Sequence, residues 1–438
     1  MDFTPHTPEE VQAMLAELGL SDLRQLFADL PQEILEPQLR LPEPLGEQEA
    51  LSLLRSLAAK NASAEKSFLG GAVRPHFIPS VVPALMSRGE FLTAYTPYQP
   101  EVSQGVLQAI FEYQTMIAEL TGLDVSNASL YDGASALAEG VLLALRQTRR
   151  MAVVVSQGVH PEYRQVLATY LHAVGAELRT IELAGGLTAP AEFDETVGAV
   201  VLQNPNFLGA IENPSSWIAA AHMSGALVVY VTDPLSLALL KPPGAWGADV
   251  AVGDGQPLGN PMNFGGPQFG YIAVRDKLLR QLPGRLVSET RDVDGRRGYV
   301  LALAAREQHI RRAKAKSNIT TNSQLSALMA AVYLAALGPQ GLADVAAAAV
   351  AKAHALAAQL ASLPGLELVT PRPFFNEFTL RLPVPAAVVR AQLAKRGLQA
   401  ATPVPEEYGD NLALFSATER HSDDDLRSLL DGIKEVLA

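Results

Sequence analysis

The chain has no cysteine. That excludes disulfides, thiolate metal sites and cysteine nucleophiles together. Its histidines are scattered without HExxH-like spacing, so no metal site is expected. Lysine is sparse, confined to Lys60, Lys66, Lys241, Lys277, Lys314, Lys316, Lys352, Lys395 and Lys434. With a net charge of −12 and no broad basic face, a nucleic-acid partner is not expected. No uninterrupted apolar run reaches the roughly 18 residues of a membrane helix. The start, Met1–Asp2–Phe3–Thr4–Pro5–His6, has neither a basic opening nor an apolar signal core. The expectation is a cytoplasmic protein with no membrane span.

What is present is bulk: 438 residues, 48% of them hydrophobic. That is too much for one small core and suits two or three domains. Residues 1–60 read as a helical and extended arm. Thr7–Pro8–Glu9–Glu10 is an N-cap, a proline at the first helical position and acids in the first turn. Pro31, Pro37, Pro42 and Pro44 then break the chain, and a second helix runs from Glu47 to Ala59. Such an arm has little core of its own and is expected to wrap another subunit or domain. Residues 61–310 alternate strand and helix, with buried-strand runs at Met151–Val155, Ala199–Leu202, Ala226–Val231 and Ala248–Val252. That pattern implies a large α/β domain with a mostly parallel sheet, whose ligands sit at the carboxyl ends of the strands. Residues 311–438 read as a smaller α+β domain, opening with alanine-rich helices over 323–336 and 341–363.

Three stretches stand apart from this scaffold. Tyr95–Thr96–Pro97–Tyr98–Gln99–Pro100–Glu101–Val102–Ser103–Gln104–Gly105 packs two tyrosines and two prolines into a segment that can be neither helix interior nor central strand. The others are Leu120–Thr121–Gly122–Leu123–Asp124–Val125–Ser126–Asn127–Ala128–Ser129–Leu130 and Ile310–Arg311–Arg312–Ala313–Lys314–Ala315–Lys316–Ser317–Asn318–Ile319–Thr320–Thr321. On these stretches, and over nearly its whole length, the chain resembles the glycine-cleavage P-protein family of pyridoxal-phosphate (PLP) glycine decarboxylases. It is similar to the N-terminal half, made in some bacteria as a separate subunit. The resemblance implies a fold-type I PLP-transferase (aspartate aminotransferase-like) fold.

Such enzymes need a lysine to hold PLP and usually an acid for its pyridine nitrogen. Asp233, after the buried strand 226–231, stands where the acid belongs; a turn aspartate beside Pro234 is the alternative. The segment after strand 248–252 reads Gly253–Asp254–Gly255–Gln256–Pro257–Leu258–Gly259–Asn260–Pro261 and holds no lysine. In the catalytic half of the family a His–Lys pair stands where this chain has Gln256 and Pro257. The resemblance therefore implies a chain with no catalytic residue of its own, whose PLP is bound covalently by a partner, subunit 2, in an α2β2 assembly. Glycine is the implied substrate and the lipoylated H-protein the acceptor of its aminomethyl group.

Residues expected to face the partner's active site are Tyr95, Thr96, Tyr98, Gln99, Ser317, Asn318 and Thr321. Tyrosines that cement a loop, and plain capping of the helix near 322, are the alternatives. Arg311, Arg312, Lys314 and Lys316 are read mostly as a solvated face. Ser135, His160 and Asp233 are expected to mark a vestigial pocket, in which Asp132–Gly133–Ala134–Ser135 resembles a phosphate cup and Gly265–Gly266–Pro267 a close turn. A scaffold without active-site contacts, or a stand-alone PLP aminotransferase or lyase using Lys241 or Lys277, are the competing readings.

Overall fold

A computed structural model describes residues 6–35, 37, 41–61, 66–71, 73–266 and 268–437. The chain start at 1–5, and Pro267 of the expected glycine turn, lie outside the described residues. Two compact units form, Met1–Ala62 and Ser63–Ala438.

In the first unit, α1 (Pro8–Glu17) starts on a capping box: Thr7 Oγ1 accepts from Glu10 N–H, and Glu10 returns a carboxylate to Thr7 N–H at 2.7 Å. A second helix, α2 (Glu47–Ala58), carries Leu51, Leu54 and Leu57, all exposed. Leu15 is buried, whereas Leu18, Leu23 and Leu30 are not.

The second unit is organised by a seven-stranded sheet. Its strands are β1 (Val125–Ser126), β2 (Ala152–Ser156), β3 (Glu177–Ile181), β4 (Val197–Gln203), β5 (Leu227–Val231), β6 (Val250–Asp254) and β7 (Gly270–Val274), in the spatial order β1-β7-β6-β5-β4-β2-β3. The pairs from β3 across to β6 are parallel, while β7 runs antiparallel to both its neighbours. Strands β2 and β7 are buried along their whole length, as the unbroken apolar runs require. Helices α3 (Gln104–Thr121), α4 (Gly133–Thr148), α5 (Pro161–Val174) and α6 (Ser215–Ser224) come from this part of the chain. Gly122, Gly175 and Gly225 end α3, α5 and α6 in the left-handed conformation.

A polar hairpin follows, β8 (Leu286–Arg291) with β9 (Arg297–Ala302), closed where Asp292 accepts from the N–H groups of Asp294 and Arg296. Its mixed strands, with buried Leu286, Val287 and Tyr299 but no regular alternation, hide it from a hydrophobic-pattern reading. Then α7 runs Gln324–Ala361 through a kink at Gly338, φ 63°, beside Pro339; the two helices expected from the sequence are the arms of this element. By length and composition alone α7 is apolar enough to cross a membrane. Its first arm sends Ala327, Ala330 and Tyr333 into a core cluster with α3 and β7, and its second sends Ala353, Leu356 and Leu360 into the core under the small sheet. That four-stranded sheet pairs β10 (Glu367–Leu368), β11 (Glu377–Arg381), β12 (Thr402–Pro403) and β13 (Leu412–Ser416) in the order β10-β11-β13-β12, backed by α8 (Ala386–Ala394) and α9 (Asp423–Leu437). Ser67 and Leu69 bridge to Gln399 and Phe415, which ties the segment before Arg74 to this sheet.

Candidate functional site

The carboxyl ends of β4, β5 and β6 and the amino end of α4 surround a cavity of about 710 Å³. Ser135, His160 and Asp233 all line it, so the fold brings these three together as expected. Each already has a partner within the chain. Asp233 accepts from Leu235 N–H at 2.9 Å and forms a close ion pair with Arg74, whose other terminal nitrogen lies 3.0 Å from Glu377. Burial by itself would lower the Arg74 pKa; the charges of Glu377 and Asp233 outweigh it and hold the guanidinium above its ordinary value. His160 caps α5: its Nδ1 accepts from Glu162 N–H, and its Nε2 lies 2.7 Å from the Gly71 carbonyl. That bonding demands the neutral Nε2–H tautomer. Phe207 stands edge-on to the ring at 4.9 Å.

The turn at the start of α4 is likewise occupied. Asp132 accepts from Ser135 N–H at 2.8 Å and from its hydroxyl at 3.2 Å. Asp254 accepts from Gly133 N–H and Gln256 N–H. Burial pushes the Asp254 carboxyl up to about 6; the two N–H bonds and Arg74 oppose the rise, and the charge of Asp132 adds to it. Gln256 exchanges hydrogen bonds with the backbone of Arg74 in both directions, at 3.2 and 3.0 Å.

A second cluster lies away from the cavity, which none of the seven residues expected to face a partner lines. The proline loop meets the segment before α7: Thr96 Oγ1 is 3.5 Å from Thr321 Oγ1. Arg285 joins them, donating to Tyr98 Oη at 2.6 Å and to the Thr320 carbonyl at 2.9 Å, with its guanidinium 4.7 Å from the Tyr98 ring centre. Arg285 is buried and paired with the buried Glu307 at 3.4 Å. Ser317 Oγ accepts from Ile319 N–H, and the Asn318 carbonyl from the Thr320 hydroxyl. Tyr95 is 73% exposed and Tyr98 56%. Gln99 and Asn318 are exposed as well. Ser323, at the start of α7, makes no side-chain cap.

The family model for the glycine cleavage system P-protein matches residues 1–433. The chain belongs to this family. The probable glycine dehydrogenase (decarboxylating) subunit 1 of Moorella thermoacetica is 48% identical over 445 residues, and that of Rhodospirillum centenum 47% over 454, each match covering 100% of both chains. A crystal structure of glycine decarboxylase (P-protein) of the glycine cleavage system, in inhibitor-bound form, superposes with a TM-score of 0.95 at 65% identity, covering 100% of both chains. The glutamate decarboxylase of Lactobacillus brevis, 13% identical with a TM-score of 0.70, shares the fold. The fold is therefore that of fold-type I PLP enzymes, and within the P-protein family the chain is of the subunit 1 type, a subunit of glycine dehydrogenase (decarboxylating).

For a P-protein chain, the residues of this cavity do not fit PLP. No lysine lines it. Lys241 lies over the Trp246 ring at 3.9 Å, and Lys277 pairs with Asp249, just before the far end of β6, at 2.9 Å. The acid suited to a pyridine nitrogen is bound to Arg74. A phosphate at the start of α4 would meet the carboxylates of Asp132 and Asp254 where it needs free N–H groups. Sequence reading missed Arg74, Glu377 and Arg285, which decide these two clusters. Arg74 and Glu377 are 303 residues apart in the numbering, and no local pattern marks such a pair.

Proposed function

We propose that this chain is the non-PLP-bearing α subunit of a heteromeric glycine decarboxylase in the cytoplasm, acting as part of an α2β2 assembly. The partner, subunit 2, holds PLP on its own lysine, and that cofactor supplies the electron sink for loss of CO2 from glycine. The remaining aminomethyl group passes to the lipoyl arm of the H-protein. The observation that carries this reading is the cavity: without lysine among the described residues, and with Asp233 tied to Arg74. This chain's contribution is the exposed corner. Tyr95, Tyr98 and Gln99 offer hydroxyl, amide and flat apolar groups to a partner. Thr96 and Thr321 join the loop to the segment before α7, on which Ser317 and Asn318 also lie.

The test is to purify the chain with and without its partner, add PLP, reduce with borohydride and weigh each chain. Label on the partner alone, with glycine–bicarbonate exchange only in the mixture, is the expected result. A reduced adduct on Lys241 or Lys277 would overturn it. Within the complex, Tyr98→Phe and Thr321→Ala are each expected to cut turnover about five- to tenfold while leaving the assembly intact. The in-chain bond from Arg285 to Tyr98 supports a second reading, a scaffold whose loops never touch the cofactor; unchanged turnover in both variants selects it.

A further inference from the structure

Tyr98 is an exposed side chain with a buried anchor. Arg285, behind it, donates to Tyr98 Oη at 2.6 Å and sets its guanidinium 4.7 Å from the ring centre. Arg285 is itself locked from three sides. Its carbonyl accepts from Ala128 N–H at 2.9 Å, its guanidinium pairs with the buried Glu307 at 3.4 Å, and it donates to the Thr320 carbonyl at 2.9 Å. A guanidinium has donors only, so in its bond to Tyr98 the phenol must accept. The O–H proton is left over, and it has no acceptor among the described residues. Thr320 repeats the arrangement with its amide: its N–H donates to Tyr131 Oη at 2.9 Å, and the exposed Tyr131 hydroxyl likewise has no acceptor among the described residues.

An unanchored tyrosine offers its hydroxyl equally as donor and acceptor. Here each of the two hydroxyls is turned so that its proton points away from the N–H it already meets. A cation that donates into a hydroxyl also polarises it, which strengthens what the hydroxyl donates in turn. Arg285 does not need Tyr98 to balance its charge, because Glu307 does that. A group whose own geometry is fixed by packing and further hydrogen bonds is what a binding contact requires behind it. We propose that Arg285 is a positioning residue, which holds the Tyr98 hydroxyl as an outward donor toward an acceptor oxygen in the partner's active site. Tyr131, held by Thr320 in the same sense, is a second donor. The proposal rests on the reading that this corner faces that site. The acceptor is an oxygen of the substrate carboxylate or of the partner chain.

The experiment is a double-mutant cycle of Arg285→Lys and Tyr98→Phe in the assembled enzyme. It reads kcat and KM for glycine in glycine–bicarbonate exchange, with sedimentation to establish assembly and urea denaturation to establish folding. Arg285→Lys keeps a charge for Glu307 but loses the planar fork that serves the carbonyl and the phenol together. It is expected to lower kcat/KM about fivefold in the parent background and less than about 1.5-fold in the Tyr98→Phe background, because the arginine acts through that one hydroxyl. Should Arg285→Lys fail to fold, Glu307→Gln, which keeps an acceptor for Arg285 and removes its counter-charge, replaces it in the cycle with the same expected pattern. A rise in KM assigns the acceptor to the glycine carboxylate; a fall in kcat at unchanged KM assigns it to the partner chain. Equal losses in the two backgrounds mark a merely structural arginine and would overturn the proposal. So would an unaffected Arg285→Lys enzyme beside a slow Tyr98→Phe one; both results leave the supporting-subunit reading standing. Turnover unchanged in Tyr98→Phe and in Thr321→Ala removes the corner from the active site, and the proposal falls with it.

Discussion

The cavity and the proline-loop corner are both rich in polar groups, but they treat them in opposite ways. In the cavity, Asp233, Glu377, His160, Asp132 and Asp254 each answer to another group of the same chain. At the corner, only the inner layer is consumed. Arg285 binds Tyr98 and the Thr320 carbonyl, while Tyr95 and the outer part of Tyr98 stay exposed. The difference teaches that chemical residue types in a pocket are no measure of chemistry available there. Charged groups removed from water must be paired. A pocket that holds an arginine and no lysine among the described residues satisfies that requirement internally, and Asp233 and Glu377 are then held.

The sharpest way to break the comparison is Arg74→Ala. It strips two carboxylates, 15% and 18% exposed, of their shared cation. A loss of about 3–5 kcal/mol in urea unfolding is expected, as for a buried ion pair that loses one partner. A loss below 1 kcal/mol would mean that the cavity acids are not held by this pair.

Asp254 gives a pH-dependent test. Its folded pKa is raised, so the stabilisation from its protonated form is complete below about pH 4 and is lost as the pH rises through about 6. Asp254→Asn keeps a carbonyl acceptor and cannot ionise. It is expected to match the parent near pH 4 and to exceed it by about 1–2 kcal/mol near pH 8. Parallel stability–pH curves for the two proteins would place the titration elsewhere.

At the corner the effects on stability shrink. Tyr98→Phe removes one of the bonds to the buried Arg285 and keeps the ring under its guanidinium, so about 1 kcal/mol is expected. Tyr95→Ala should change stability by less than about 0.5 kcal/mol, since the side chain is mostly in water. Comparing denaturation of these two variants with turnover of the assembled enzyme separates a loop built for stability from one built for a partner. A large stability loss in Tyr95→Ala would erase the contrast between the regions.

Much of the scaffold was legible. Helices Pro161–Val174 and Ser215–Ser224 have the boundaries their sequence implies, because a proline at the first position of one and just before the other, and a left-handed glycine at each end, punctuate them locally. The buried strands were legible because a strand covered on both faces must be apolar throughout. The hairpin β8–β9 was not, since its strands, Leu286–Arg291 and Arg297–Ala302, show no clean apolar–polar alternation. Ser135, His160 and Asp233 were expected in one pocket from the helix start, the strand ends and the resembled fold, and all three line the same cavity. Arg285 gave no signal, being an isolated arginine after Pro283–Gly284 whose burial depends on segments brought from elsewhere in the chain.

The sequence by itself determined what this subunit lacks: a lysine between Gly253 and Pro261, and any cysteine. It also determined the order of strands and helices, because hydrophobic period and capping are local properties. Only the tertiary structure decided what the remaining groups do. It brought Asp233, which follows a strand of the large sheet, and Glu377 of the small sheet onto Arg74, and it buried Arg285 against Glu307. The reason is physical: burial and pairing set the fate of a charge, and both are fixed by neighbours hundreds of residues away.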